Sequence, residues 1–147
     1  MKHLSVLFLA GLLMLICIPV MIIAQPAPYI EGSVWDVELI KVKPGMGDEY
    51  LHSLASTWKA ENEEAKKQGL ILSYKILSGS AANETDWDLM LMVEFKNMAS
   101  LDNVDEKFRA IETKIFGTEE QMKNLMVKRI EVREIFGDKL LRELILK

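Results

Sequence analysis

Trp87-Asp88-Leu89-Met90-Leu91-Met92-Val93-Glu94-Phe95 is the stretch on which the fold turns. Its odd positions, Trp87, Leu89, Leu91, Val93 and Phe95, are all large and apolar, which is the period of a β-strand with one buried face. The even positions read Asp88, Met90, Met92, Glu94, so the second face is apolar at its centre and acidic at both ends. A strand with one solvated face has no use for Met90 and Met92. Both faces are therefore expected to be covered near the middle, by helices on one side and by something else on the other.

Around this strand the chain runs to 147 residues, half of them hydrophobic and 27% charged, the composition of one globular domain. The first residues inflate the apolar share. After Met1-Lys2-His3, residues 4 to 24 carry no charge, and the run closes on Ala24-Gln25-Pro26. A short basic start, an apolar run and a small residue before Gln25 describe a signal peptide over residues 1–24, with export to the periplasm or the extracellular medium. The alternative is an uncleaved membrane anchor formed by residues 4–24, since about 20 apolar residues span a bilayer. Cys17 follows Ile16, not the small residue that lipid-modified leaders require.

Cleavage after Ala24 removes Cys17 and His3 and leaves no cysteine and one histidine, His52. A disulfide framework, a thiol nucleophile and a multi-histidine metal site are thereby excluded within one mature subunit, and no metal or other cofactor is expected. The formal charge of −4 and the lack of any basic stripe argue against nucleic acid as a partner.

Residues 25–33 carry two prolines and a glycine and read as a linker, so the domain is expected over residues 34–147. Val34 to Lys43 has strand composition. Trp35, Val37 and Leu39 share one face before the apolar phase slips to Ile40 and Val42, as a bulge near Leu39 would cause. Pro44-Gly45-Met46-Gly47 breaks the strand. Asp48 then opens a helix to about Gln68, stopped by Gly69, with Leu51, Leu54, Ala55, Trp58 and Ala65 on its apolar stripe and Glu61 among the residues of its polar side.

Leu70 to Leu77 is a further strand, joined to the Trp87 strand as a hairpin by the polar loop Ser78–Asp86. The Asn83-Glu84-Thr85 triplet in that loop matches a glycosylation sequon but reads as ordinary loop. A second helix is expected from Ser100 to Gly117 through Leu101, Val104, Phe108, Ile111 and Ile115. Thr118 and Gln121 form a capping box for a third bearing Met122, Leu125 and Met126. At the C-terminus a hairpin turning at Gly137-Asp138-Lys139 would set Arg133 against Glu143 and Glu134 against Arg142; a short helix over residues 139–146 is the alternative.

The order strand, helix, strand, strand, helices, strand is the split βαβ, ferredoxin-like arrangement: an α+β fold with an antiparallel sheet and helices on one face. Three features resemble the dimeric α/β-barrel superfamily: Val42-Lys43-Pro44-Gly45 leading into a helix, the Trp87–Phe95 strand followed by Lys96 to Leu101, and the Arg-Glu-Leu strand near the C-terminus. The chain looks in particular like small secreted bacterial members of unassigned function. That resemblance implies a homodimer in which a second sheet covers the open face, with Met90 and Met92 at the interface. Relatives of that fold include cofactor-free monooxygenases, haem proteins and ligand-binding regulators, and no motif here selects among them.

Candidate sites follow from side-chain chemistry. His52, with Glu49 and Ser56 on one helix face, is a weak candidate for proton transfer, more often a solvated histidine. Trp35, Trp58 and Trp87, with Tyr74 at the rim, are expected to line an apolar ligand pocket between sheet and helices, though aromatics in such stripes are commonly core. Asp36, Glu38, Asp88 and Glu94 are expected together on the second face of the sheet. An exported binding protein for an apolar or aromatic ligand is the function that fits best. A cofactor-independent oxidoreductase using the same pocket is the alternative.

Overall fold

The computed structural model describes residues 25–147; the leader reading, with His3 and Cys17, lies outside them. Four strands form one antiparallel sheet: β1 (Tyr29–Val42), β2 (Ser73–Ser78), β3 (Leu89–Phe95) and β4 (Arg133–Leu146), in the order β2-β3-β1-β4. Helices α1 (Gly47–Ser56), α2 (Trp58–Lys67), α3 (Val104–Phe116) and α4 (Glu119–Val132) complete the domain. Long connections carry the chain from β1 to β2 and from β3 to β4, which is the ferredoxin-like, split βαβ topology expected of this element order.

Register assigns the faces. Val34, Asp36, Glu38 and Ile40 of β1 stand opposite Phe95, Val93, Leu91 and Leu89 of β3. Residues directly opposite in an antiparallel pair share a face. Ile40, Leu89 and Leu91 pack with Tyr50 and Leu54 of α1 and Val132, with Trp58 against the cluster. Val34 and Phe95 pack with Ala65, Ile71 and Ile111. The odd residues of β3 thus face the helices, as their alternation predicts.

β1 departs from expectation. Its register against β3 is unbroken from Val34 to Ile40, so it has no phase slip: large apolar residues stand on both faces. Trp35, Val37 and Leu39 stand opposite Glu94, Met92 and Met90 on the face without helices, while Asp36 and Glu38 point toward the helices. An irregularity does fall at Leu39/Ile40, but in the pairing with β4, where Leu39 faces Gly137 and Ile40 faces Ile135. The extra residue is Phe136, on β4. β1 also starts at Tyr29, inside the expected linker, because Tyr29, Ile30 and Glu31 pair with Leu146, Ile145 and Leu144. Composition cannot announce a partner more than a hundred residues away.

That pairing also replaces the C-terminal hairpin and the helical alternative. β4 is one continuous strand along β1, and its charges find partners there: Arg142 bonds Glu31 and Arg133 bonds Glu38. The β2–β3 hairpin is as expected, although β2 begins at Ser73.

The long helix expected over residues 48–68 is two helices. Thr57 lies at φ −113°, ψ −70°, and the Ser53 carbonyl accepts both its N–H (2.9 Å) and its hydroxyl (2.7 Å). Such back-bonding bends a helix. The buried stripe becomes Tyr50, Leu54, Thr57, Glu61, Asn62 and Ala65, whereas Leu51 is exposed. Gly69 (φ 72°) and Gly117 (φ 92°) end α2 and α3 in left-handed conformations that side chains resist. The Thr118–Gln121 capping box forms. α3 begins at Val104, preceded by a 3₁₀ turn (Met98–Leu101) whose Ser100 N–H donates to the Asn97 side chain.

Candidate functional site

Between the sheet and the helices lies a cavity of about 290 Å³, at the small end of ligand sites. Leu91, Val93 and Phe95 of β3 give it an apolar side, continued by Leu54 and Trp58 overhead and by Val104 and Phe108 of α3. The opposite side is polar. Asp36 and Glu38 rise from β1, Glu61 and Asn62 descend from α2, and Arg129 and Arg133 close the α4–β4 end.

These polar groups form a connected set. One Arg133 Nη1 donates to Glu38 Oε2 and to the Tyr50 hydroxyl, both at 3.1 Å, and the guanidinium lies 5.6 Å from the Tyr50 ring centroid. Burial raises the Tyr50 hydroxyl above its ordinary pKa, against the pull of Arg133. Arg129 Nη2 donates to Thr57 Oγ1 at 2.8 Å, so the residue that bends the helix also anchors α4. Asn62 Nδ2 donates to the Trp58 carbonyl at 2.8 Å, which fixes the amide; its Oδ1 is buried without a donor, and Arg129 Nε is buried without an acceptor.

Glu61 is the most perturbed group. It is 9% exposed. Burial, then repulsion from Glu112, pushes its carboxyl up to about 7, with Arg129 pulling the other way. Asp36 is also raised, by burial and then by Glu38 and Asp138.

Glu61 therefore sets a stability dependence on pH. Its pKa is about 4.5 unfolded and about 7 folded, so between those values the folded state holds the extra proton. Stability is greatest below pH 4.5 as far as this group is concerned, falls as pH rises to about 7, and is flat above. The expected loss is about 3 kcal/mol, at 1.36 kcal/mol per pKa unit. Urea titrations from pH 5 to 8 should show this decline, and Glu61→Gln should flatten it. A wild-type slope that the substitution leaves unchanged would assign it elsewhere.

The residues expected to form the pocket separate. Trp58 lines the cavity and meets Tyr74 edge-on, ring centroids 5.2 Å apart; the Tyr74 hydroxyl donates to Glu63 at 2.5 Å. Trp35 stands on the other face of the sheet, under Lys75 Nζ at 4.2 Å. Trp87 precedes β3 and is not among the lining residues. His52 is exposed on α1, away from the cavity. The four acids do not cluster. Asp36 and Glu38 border the cavity, Asp88 accepts from the Val42 N–H at 2.8 Å, and Glu94 accepts from Ser73 Oγ at 2.5 Å. Among the described residues no group of three or more His, Cys, Asp or Glu side chains is placed to hold a metal ion.

Glu61, Asn62, Arg129 and Arg133 are not among the site residues expected from the sequence. The available signal was periodic: stepping back from Ala65 at helical spacing lands on Glu61 and Asn62 before it reaches Leu54.

Solved structures resemble the chain, two of them as follows. One is a dimeric protein of unknown function with a ferredoxin-like fold from Bacteroides fragilis NCTC 9343, with a TM-score of 0.43, 18% identity, and coverage of 78% of this chain and 98% of that one. The other is a nipsnap family protein of unknown function from Agrobacterium tumefaciens strain C58, with a TM-score of 0.49, 13% identity, and coverage of 79% and 92%. No family model and no curated protein matches the chain. The fold is ferredoxin-like. At these identities the likenesses say nothing of activity.

Proposed function

We propose that this is a small-molecule binding protein whose ligand enters the cavity between sheet and helices, and that it works after export as a homodimer. The carrying observation is a cavity with one apolar side and one polar side that leaves Asn62 Oδ1 unsatisfied. Pockets of that make-up bind through apolar burial and orient through a few polar groups. It differs from the wholly apolar pocket expected, because Asp36, Glu38 and Glu61 face inward.

Export rests on the charge-free run Leu4–Ala24. The homodimer rests on the sheet face opposite the helices, where Trp35, Leu39, Met90, Met92, Leu77 and Leu141 stand with no element over them.

Native mass spectrometry of the purified protein tests the binding reading. A small-molecule adduct should be retained by the wild type and lost in Val93→Phe, which fills the cavity from β3. An adduct equally retained by Val93→Phe would place the ligand elsewhere.

One observation favours a second reading, a cofactor-independent oxidoreductase. A carboxyl with a pKa of about 7 is poised to accept a proton from a phenolic substrate. Oxygen uptake with quinol substrates that disappears in Glu61→Gln would select it.

A further inference from the structure

The charge of the cavity is out of balance, and the imbalance indicates what kind of ligand it takes. Five carboxyl groups line it, from Asp36, Glu38, Glu61, Asp105 and Glu112, against the two guanidinium groups of Arg129 and Arg133 and no lysine. Arg133 is already committed to Glu38 and Tyr50. Arg129 is bonded to Thr57 and offsets one more carboxylate. Its buried Nε still lacks an acceptor, which a neighbouring carboxylate or a hydroxyl on the ligand can supply.

A second observation is independent of the carboxylates. Asn62 is 2% exposed, its amide is held through Nδ2 by the Trp58 carbonyl, and its Oδ1 is left as a buried acceptor with no donor. Leaving such an atom unpaired is unfavourable, and a ligand N–H removes that penalty. The aromatic rings of Trp58, Phe95 and Phe108 complete the lining, and aromatic faces attract cations.

We propose that the cavity binds a small protonated amine with an apolar body, its ammonium N–H groups donating to Asn62 Oδ1 and to the Glu61 carboxylate, its body against Trp58, Leu91 and Val93. The proposal rests on the cavity being a binding site. Carboxylate and orphan carbonyl each demand a donor, and a cation is the donor that also offsets the excess negative charge.

Calorimetry with four probes of one shape tests it: benzylamine, benzyltrimethylammonium, benzyl alcohol and benzoate, added to the purified protein. Benzylamine should bind tightest. The quaternary ion, which lacks N–H, and the neutral alcohol should be at least about tenfold weaker, and benzoate weakest. Glu61→Gln should weaken benzylamine at least about tenfold and benzyl alcohol less, and Glu112→Gln should weaken benzylamine less than Glu61→Gln does.

Affinity for benzylamine should also rise with pH, about tenfold per unit up to roughly pH 7, and then level off, because the ligand binds the ionised Glu61. Glu112 on α3, Arg129 on α4 and Glu38 on β1 act on Glu61, and Asp105 on α3 and Arg133 on β4 line the same cavity. Asp36 on β1 and Tyr50 on α1 complete the titratable groups of the lining. Of the carboxyls the other raised one, Asp36, titrates in the same direction.

Benzoate or benzyl alcohol binding as tightly as benzylamine, or Glu61→Gln leaving benzylamine unaffected, overturns the amine proposal while small-molecule binding stands. No heat from any probe also overturns it; the binding reading is then decided separately by the adduct experiment with Val93→Phe.

Discussion

Truncating Leu91 to Ala should destabilise the domain by about 2–5 kcal/mol, the range for removing a large aliphatic side chain from a packed core. Leu91 is 3% exposed at the middle of β3, and packs in one cluster with Ile40, Tyr50, Leu54 and Leu89. It also borders the cavity, so the truncation enlarges an existing space that the surrounding helices already fail to fill. Urea titration measures the loss as a shift in midpoint at constant slope. Leu51→Ala is the matched control. It removes the same atoms from a position 48% exposed on α1, and should change stability by no more than about 0.5 kcal/mol. Equal costs at both positions would mean that the phases of β3 and α1 are wrong.

Leu91 and Leu51 also mark where the sequence was legible and where it was not. β3 alternates strictly between large apolar residues and a distinct second set, so its inward face follows from period alone. β1 offers Val34, Ile40 and Val42 on one face and Trp35, Val37 and Leu39 on the other. Both sets are apolar, and only the register against β3 decides which meets the helices. Since Asp36 and Glu38 go where Val34 and Ile40 go, missing that phase hid the polar side of the cavity.

The helix failed for a related reason. Leu51 is more hydrophobic than Tyr50, yet Tyr50 is the buried one because its hydroxyl finds Arg133, 83 positions along the chain. Glu61 and Asn62 look like solvated residues until Arg129, Glu112 and Glu38 are brought around them. A buried polar group is specified by its partners, and partners distant in sequence leave no local trace. The C-terminal charges were misread in the same way. Arg133 and Arg142 satisfy a hairpin on paper as well as they satisfy Glu38 and Glu31 across β1; Gly137 at the start of the supposed turn, where glycine seldom falls, was the evidence against it.

Met90→Asp should convert the proposed homodimer into a monomer or an aggregate. Met90 and Met92 stand on the face of β3 turned away from the helices, opposite Leu39 and Val37 of β1 and Leu77 and Lys75 of β2. Leu77 and Leu141 on the same face are nearly half exposed. In a single subunit Leu39, Met90, Met92, Leu77 and Leu141 have no element over them, and an exposed apolar patch of several hundred Å² marks an interface. In the proposed homodimer, two sheets paired about a two-fold axis would cover Met90 of both protomers, so that each substitution acts twice. Met suits such a face because its flexible thioether fills irregular gaps between sheets. A carboxylate there must be taken from water without a partner, at a cost of several kcal/mol for each copy. Glu94 and Asp88, by contrast, lie toward the two ends of the strand and already have hydrogen bonds to Ser73 and Val42. Multi-angle light scattering of the unaltered protein at micromolar concentration should give twice the chain mass, and circular dichroism of any monomeric Met90→Asp should retain the helical signal, because the helices pack on the other face. A monomeric mass for the unaltered protein, or an unchanged dimer for Met90→Asp, would remove the second sheet from the account and require another cover for Met90, Met92 and Trp35.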